Sequence, residues 1–140
     1  MSVPLTPPPS ATPACYQPIV LQDLLTIADW QERIDWQPFK PGVEIHRLYG
    51  DGITGPAAAL LRYREAASVA LHRHTGYEHI LVLAGSQRDQ NLTAVCGTLV
   101  VNPPGTVHRV ASDAGCIVLA IYASPVEFLA EPGDPPAEDA

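Results

Sequence analysis

From residue 43 onward, apolar and polar positions alternate in short runs, and glycine or proline punctuates most of the gaps between them. Val43 to Tyr49, V-E-I-H-R-L-Y, follows the Pro38 and Pro41-Gly42 turns and predicts a strand. Comparable runs predict strands at Ala57 to Tyr63, Val69 to His74, Glu78 to Ala84, Gln87 to Asp89, Leu99 to Val101, Thr106 to Val110 and Cys116 to Tyr122. Short strands at this spacing, parted by turn residues, predict an all-β sandwich or barrel. Two runs break the alternation: Ile80 to Ala84 and Ile117 to Ile121 are apolar on both faces, so the outer side of the sheet needs a cover. Either the segment Leu21 to Trp36 or a second subunit supplies it. The expectation is a homodimer, with a monomer wrapped by its own N-terminal segment as the alternative. The stretch Ile19 to Trp36 has mixed periodicity and predicts a short helical turn or an edge strand.

Composition narrows this further. With 140 residues, 46% hydrophobic and 16% charged, the chain is sized for one domain with a real core, and 15 prolines and 10 glycines leave little room for long helices. The domain is expected over residues 19–130. A proline-rich arm precedes it over 1–18 and an acidic, proline-rich tail follows over 131–140, both expected to be disordered. A net charge of -7 with only 8 lysines and arginines excludes a phosphate-backbone partner, so no nucleic acid is expected. The N-terminus lacks the basic start and apolar core of a signal peptide, and no run reaches membrane-spanning length, so the expectation is a cytoplasmic protein without a membrane partner. Cys15, Cys96 and Cys116 form no C-x-x-C spacing and point to neither a disulfide framework nor a cysteine zinc site.

The chemistry concentrates in L-H-R-H-T-G-Y-E-H-I from Leu71. His72 and His74, two apart in an extended strand, leave the same face, so both imidazoles can reach one ion. Glu78 follows after Thr75-Gly76-Tyr77, a connection in which Gly76 lets the chain bend and brings a carboxylate back toward the histidines. His108 follows a turn made by Pro103, Pro104 and Gly105. Singly, these residues also fit surface histidines, a strand-end carboxylate and a hydrogen-bonded core histidine. As a set of three imidazoles and a carboxylate they suit a divalent metal. His79, sent by alternation to the opposite face from Glu78, and His46, with no motif around it, stand outside the set.

These stretches resemble the paired motifs of the cupin superfamily, H-x-H-x3-E-x6-G and G-x5-P-x-G-x2-H. His72, His74, Glu78 and Gly85 fit the first, and Gly97, Pro103, Gly105 and His108 fit the second. Ala66 stands where the first motif usually has a glycine, and Ser112 where the second usually ends in asparagine. Neither position is a metal ligand in the family, so these departures bear on turn geometry and pocket polarity. The wider pattern is W-Q-P-F-K-P-G-V from Trp36, A-L-L-R-Y from Ala59, H-R-H-T-G-Y-E, P-P-G-T-V-H and Gly115-Cys116. Over most of Trp36 to Phe128 it resembles the C-terminal cupin domain of the anti-sigma factor ChrR and the stand-alone cupins grouped with it. The resemblance implies a small jelly-roll β-barrel with a short N-terminal extension. It also implies one divalent metal held by His72, His74, Glu78 and His108, zinc in the anti-sigma factor. The helical zinc domain with its C-x-x-C ligands, which grips the sigma factor in that family, has no counterpart in these motifs, so anti-sigma activity is not carried over.

The ligand set leaves zinc, iron, manganese and nickel open: four protein ligands close a tetrahedron, whereas a six-coordinate preference leaves positions for substrate, water or dioxygen. Two function classes follow for a chain that meets a small-molecule ligand. One is a metal-dependent dioxygenase or related lyase acting on a small oxygenated substrate. The other is a non-catalytic sensor module whose metal meets an oxidant or metabolite. A sugar-phosphate isomerase fits less well, because phosphates call for more basic residues. Expected substrate contacts are Ile80 and Val82 as inward neighbours of Glu78, and Tyr63 and Gln87 as polar groups, with Arg62 and Arg109 as further polar candidates.

Overall fold

The computed structural model describes residues 17–130, so the expected arm (apart from Gln17 and Pro18) and the tail lie outside the described residues. Among the described residues there are ten strands: β1 Gln37–Lys40, β2 Val43–Tyr49, β3 Ala57–Tyr63, β4 Ala67–Arg73, β5 Glu78–Arg88, β6 Thr93–Val95, β7 Leu99–Asn102, β8 Val107–Ser112, β9 Cys116–Tyr122 and β10 Glu127–Phe128. All pairings are antiparallel. One sheet runs β1-β2-β3-β9-β5-β7 and the other β10-β4-β8-β5-β6, with β5 shared between them. The two expected strands Glu78 to Ala84 and Gln87 to Asp89 are therefore one long strand. It turns the corner near Gly85, whose φ of 69° suits glycine and whose backbone lies against the Gly115 carbonyl, leaving no space for a Cβ.

Two bulges set which side chains face inward. In β4 the register shifts between Val69 and His72, so Ala67 and Val69 point inward before the shift and His72 and His74 after it. In β5 the shift between Val82 and Ala84 leaves Leu83 and Ala84 both outside, and this returns Gln87 to the interior with Glu78, Ile80 and Val82. Strict alternation from Glu78 would have sent Gln87 out.

Inside the barrel, Val43, Tyr63, Val69, Ile80, Val82, Val110 and Val118 form one core cluster. Outside the sheet, Ile27, Leu60, Leu83 and Ile117 form a second, packed against Leu21, Leu24, Trp30, Ile34 and Trp36. The doubly apolar strands are thus covered by the chain's own N-terminal segment. That segment folds as a single helical turn, α1 (Ile27–Trp30), between two 3-10 turns. Ile27 and Leu60 are both fully buried, each burial stabilising by about 1.5–3 kcal/mol. Arg62 fastens the cover from the outer face: it donates to Glu44 at 2.9 Å and Glu32 at 3.0 Å and stacks on Trp36. Among the described residues no helix is long and apolar enough to cross a membrane.

Candidate metal centre

His72 on β4 sits directly across from His108 on β8, and His74 follows one residue beyond the end of β4. The three rings are buried, with centroids 4.7–5.2 Å apart, and one nitrogen from each lies within 4.8 Å of the others. These three histidines can hold a metal ion. Glu78, also buried, opens β5 and reaches the cluster through His74, with Nε2 and Oε1 3.1 Å apart; Asn102 donates to the same oxygen at 3.3 Å.

Each ring's outer nitrogen is engaged. His72 Nδ1–H donates to the Ala70 carbonyl at 2.7 Å, and His108 Nδ1–H to Asp89 Oδ2 at 3.0 Å. Thr106 gives its hydroxyl proton to the Pro103 carbonyl at 2.6 Å, so its oxygen accepts from His74 Nδ1–H at 2.8 Å. With all three Nδ1 atoms donating, the Nε2 lone pairs are left for the centre, the tautomer a metal ligand needs. The short approach of His74 Nε2 to Glu78 Oε1 then joins two acceptors, and only a cation between them, a proton or a metal, satisfies both. By this test the residues fit a metal. Asp89 is itself pinned, its Oδ1 accepting from the backbone N–H groups of Asn91 and Leu92 at 2.7 and 2.9 Å.

The ionisation of the cluster follows from burial and mutual charge. Burial, with the neighbouring rings of His108 and His74, holds His72 below its ordinary value despite the opposing Ala70 carbonyl and Glu78. Burial alone would raise Glu78, but His74, 3.1 Å away, and the neighbouring rings of His72 and His108 outweigh it and hold the carboxyl below its usual range.

A cavity of about 190 Å³ opens onto His72, His108 and Glu78. Three of the residues expected to contact a substrate, Tyr63, Ile80 and Gln87, line it. Val82 does not; the step of two residues past Ile80 carries it from the cavity into the packed cluster with Val43 and Val118. Burial, with the charges of Cys116 and Glu78 and against the opposing effect of Gln87, raises the Tyr63 phenol well above the ordinary value, so it stays neutral. Arg62 faces the outer cover and Arg109 is exposed on β8, so neither lines the cavity. His79 is exposed on the outer face as alternation required, and His46 meets the Asp35 carbonyl. Sequence reasoning missed Lys40, Arg47, Phe39 and Phe128 on the cavity wall and Asp89 and Thr106 behind the histidines. Phe128 belongs to a strand too short to announce itself, and Asp89 ends the expected strand Gln87 to Asp89 with nothing in the sequence to aim it at a histidine.

A closed antiparallel barrel with an inward histidine cluster defines a cupin. The profile of the ChrR cupin-like domain matches residues 27–126, and the chain belongs to that family. Among solved structures it is similar to an RmlC-like cupin from Ralstonia eutropha, at 23% identity and a TM-score of 0.65 over 76% of this chain and 73% of that one. It is also similar to an acetylacetone dioxygenase from Acinetobacter johnsonii, at 16% and 0.67 over 86% and 83%. Both likenesses speak for the fold alone. A chain of Rhodobacter sphaeroides SigE in complex with the anti-sigma ChrR matches at 28% and 0.58 over 65% of this chain and 49% of that one, so the present chain spans about half its length. Curated proteins give no match.

Proposed function

We propose that the chain is a mononuclear metal-dependent enzyme of the dioxygenase type, acting on a small oxygenated organic substrate, with His72, His74, Glu78 and His108 as ligands. The observation that carries this reading is the cavity opening onto His72, His108 and Glu78, which leaves the centre open to a small molecule instead of sealed as in a structural site. A divalent ion held there, whether iron, manganese, nickel or zinc, supplies Lewis acidity toward substrate oxygens and, as iron, redox chemistry with dioxygen. The chain's own residues do the rest. Leu61, Ile80 and Val110 keep the wall apolar and exclude water. Tyr63, neutral and lining the cavity beside Gln87, can donate a hydrogen bond to a substrate oxygen. The barrel shared with an acetylacetone dioxygenase is consistent with this use of the fold.

A second reading has its own support in the family membership and in the 28% identity to a chain of the SigE–ChrR complex. There the same centre is a sensor, and a small molecule meeting it alters a contact made by the outer sheet or the tails. Oxygen uptake separates the two readings. The full chain, loaded in turn with iron, manganese and zinc, is offered acetylacetone and related diketones. Uptake that follows iron loading and vanishes in His74→Ala is the enzyme's result. One zinc per chain with no uptake under any metal is the sensor's.

A further inference from the structure

The cavity carries two positive charges that the metal centre does not use. Lys40, the chain's single lysine, and Arg47 both line it, in a protein whose net charge is -7. Arg47 shares the inward face of β2 with Val43 and Ile45 and lies exposed at the mouth; Lys40, at the end of β1, is half-buried. Arg62, Arg73 and Arg88 each close an ion pair with a carboxylate, whereas Lys40 and Arg47 close none among the described residues. Their partners are rings instead: Lys40 Nζ stands 4.5 Å from the Phe128 centroid and 5.4 Å from that of Phe39, and the Arg47 guanidinium 6.0 Å from Phe39. Asp51, whose charge is felt by Arg47, has its Oδ1 committed to the N–H groups of Ile53 and Thr54. Glu78, the acidic group on the wall, accepts from Asn102 and faces the histidines rather than the two cations.

We infer that the cavity binds a small organic anion, a carboxylate with an apolar body. Its charged end meets Lys40 and Arg47, its body lies against Phe39 and Phe128, and its other oxygen faces the histidines. The inference rests on the reading of this cavity as a substrate site and adds the substrate's charge to it. Lys40, half-buried over two aromatic rings, has lost part of its water without gaining a counter-charge, and an entering carboxylate supplies one; Arg47, exposed beside Asp51, adds its positive charge at the mouth. An electropositive mouth on an otherwise acidic surface also favours anions over cations and neutral compounds during approach.

The test uses the full chain loaded with zinc, which is redox-inert, and calorimetric titration with benzoylformate and with its methyl ester, which keeps the ring and the oxo group but not the charge. Benzoylformate is expected to bind about tenfold tighter than the ester, a preference that shrinks between 50 and 300 mM salt, concentrations chosen around the physiological screening range of about 0.15 M. Lys40→Met is expected to weaken the acid about tenfold. Arg47→Met, at the exposed mouth, is expected to weaken it about threefold. Ester affinity, zinc content and thermal midpoint should stay as in the parent. Equal affinity for acid and ester overturns the inference, as does failure of both to bind. An acid preference kept by the double variant also overturns it, by placing charge recognition at the metal. If the protein takes up no zinc, the metal reading falls, and the same acid-against-ester comparison on the metal-free chain still decides the anion site.

Discussion

Asp89→Asn isolates what the groups behind the histidines contribute. Asp89 divides its two oxygens: Oδ1 accepts from the backbone N–H of Asn91 and Leu92, and Oδ2 accepts from His108 Nδ1–H. In the asparagine variant the two backbone donors keep the amide oxygen on their side, so the turn survives and an NH₂ now faces His108. Two donors cannot share that contact. His108 therefore moves its proton to Nε2 and loses the lone pair that points at the centre, while the hydrogen bond itself is kept with its direction reversed. The expected outcome is a divided one: metal affinity falls about 10–100-fold, equivalent to roughly 1.4–2.7 kcal/mol, whereas metal-free stability changes by less than about 1 kcal/mol. Competition between protein and a chelator for cobalt or zinc gives the affinity, thermal unfolding without metal gives the stability, and long-range ¹H–¹⁵N correlation reads the His108 tautomer directly. An unchanged affinity beside a switched tautomer would refute the assignment of His108 as a ligand. An unchanged tautomer would refute the role given to Asp89.

Ala66 holds a φ of 64°, the left-handed region that costs a residue with a Cβ about 1–2 kcal/mol. Against the roughly 0.4–1 kcal/mol of unfolded-chain entropy that glycine adds, Ala66→Gly is expected to raise the melting temperature by about 2–4 °C, and a lowered one would contradict the strain. Metal-free protein is expected to lose stability steadily as pH falls. His72 and Glu78 are both held below their ordinary values, so the unfolded chain takes up each proton first; the loss begins near pH 6.5 with His72 and continues below pH 4.5 with Glu78. Melting curves from pH 8 to 4 check this, and a midpoint that rises between pH 7 and 5.5 would reverse the sign.

How much of this was readable in the residues depends on whether their placement is local. β2, β3 and β9 fall on the predicted Val43 to Tyr49, Ala57 to Tyr63 and Cys116 to Tyr122, because a run bounded by turn residues and paired on both sides declares its own limits. The histidines of the cluster were legible for the same reason, since a spacing of two on a strand fixes a shared face. Bulges are not local. The extra residue in β4 and that in β5 depend on partners β8 and β9, so alternation could bring His72 and His74 together but could not place them in phase with Val69 or bring Gln87 inside. β1 was hidden by Pro38 and by the Pro41-Gly42 turn. A proline is tolerated there because β1 is the edge of its sheet, a position that only the topology reveals. The apolar runs asked for a cover on the outer face without saying which residues meet it; Ile27, Leu24 and Trp30 packing on Leu60 and Ile117 depends on tertiary contacts that the runs themselves do not encode.

The distribution of the cluster over the chain has an energetic consequence. His72 and His74 come from β4 and its end, His108 from β8, and Glu78 from the start of β5. The groups that hold their tautomers are a carbonyl of β4 itself and side chains from two further places, the turn before β8 at Thr106 and the turn after β5 at Asp89. No fragment contains a complete set. The donors converge only when both sheets have formed and β5 has turned its corner at Gly85, where a side chain would meet the Gly115 carbonyl. A metal that needs all of these donors has little affinity for a partly folded chain, so its binding free energy is added to the stability of the whole barrel instead of to one hairpin. The open side of the centre, toward Tyr63 and the cavity, is not needed for that stabilisation, which is why the fold can leave it free for a small molecule.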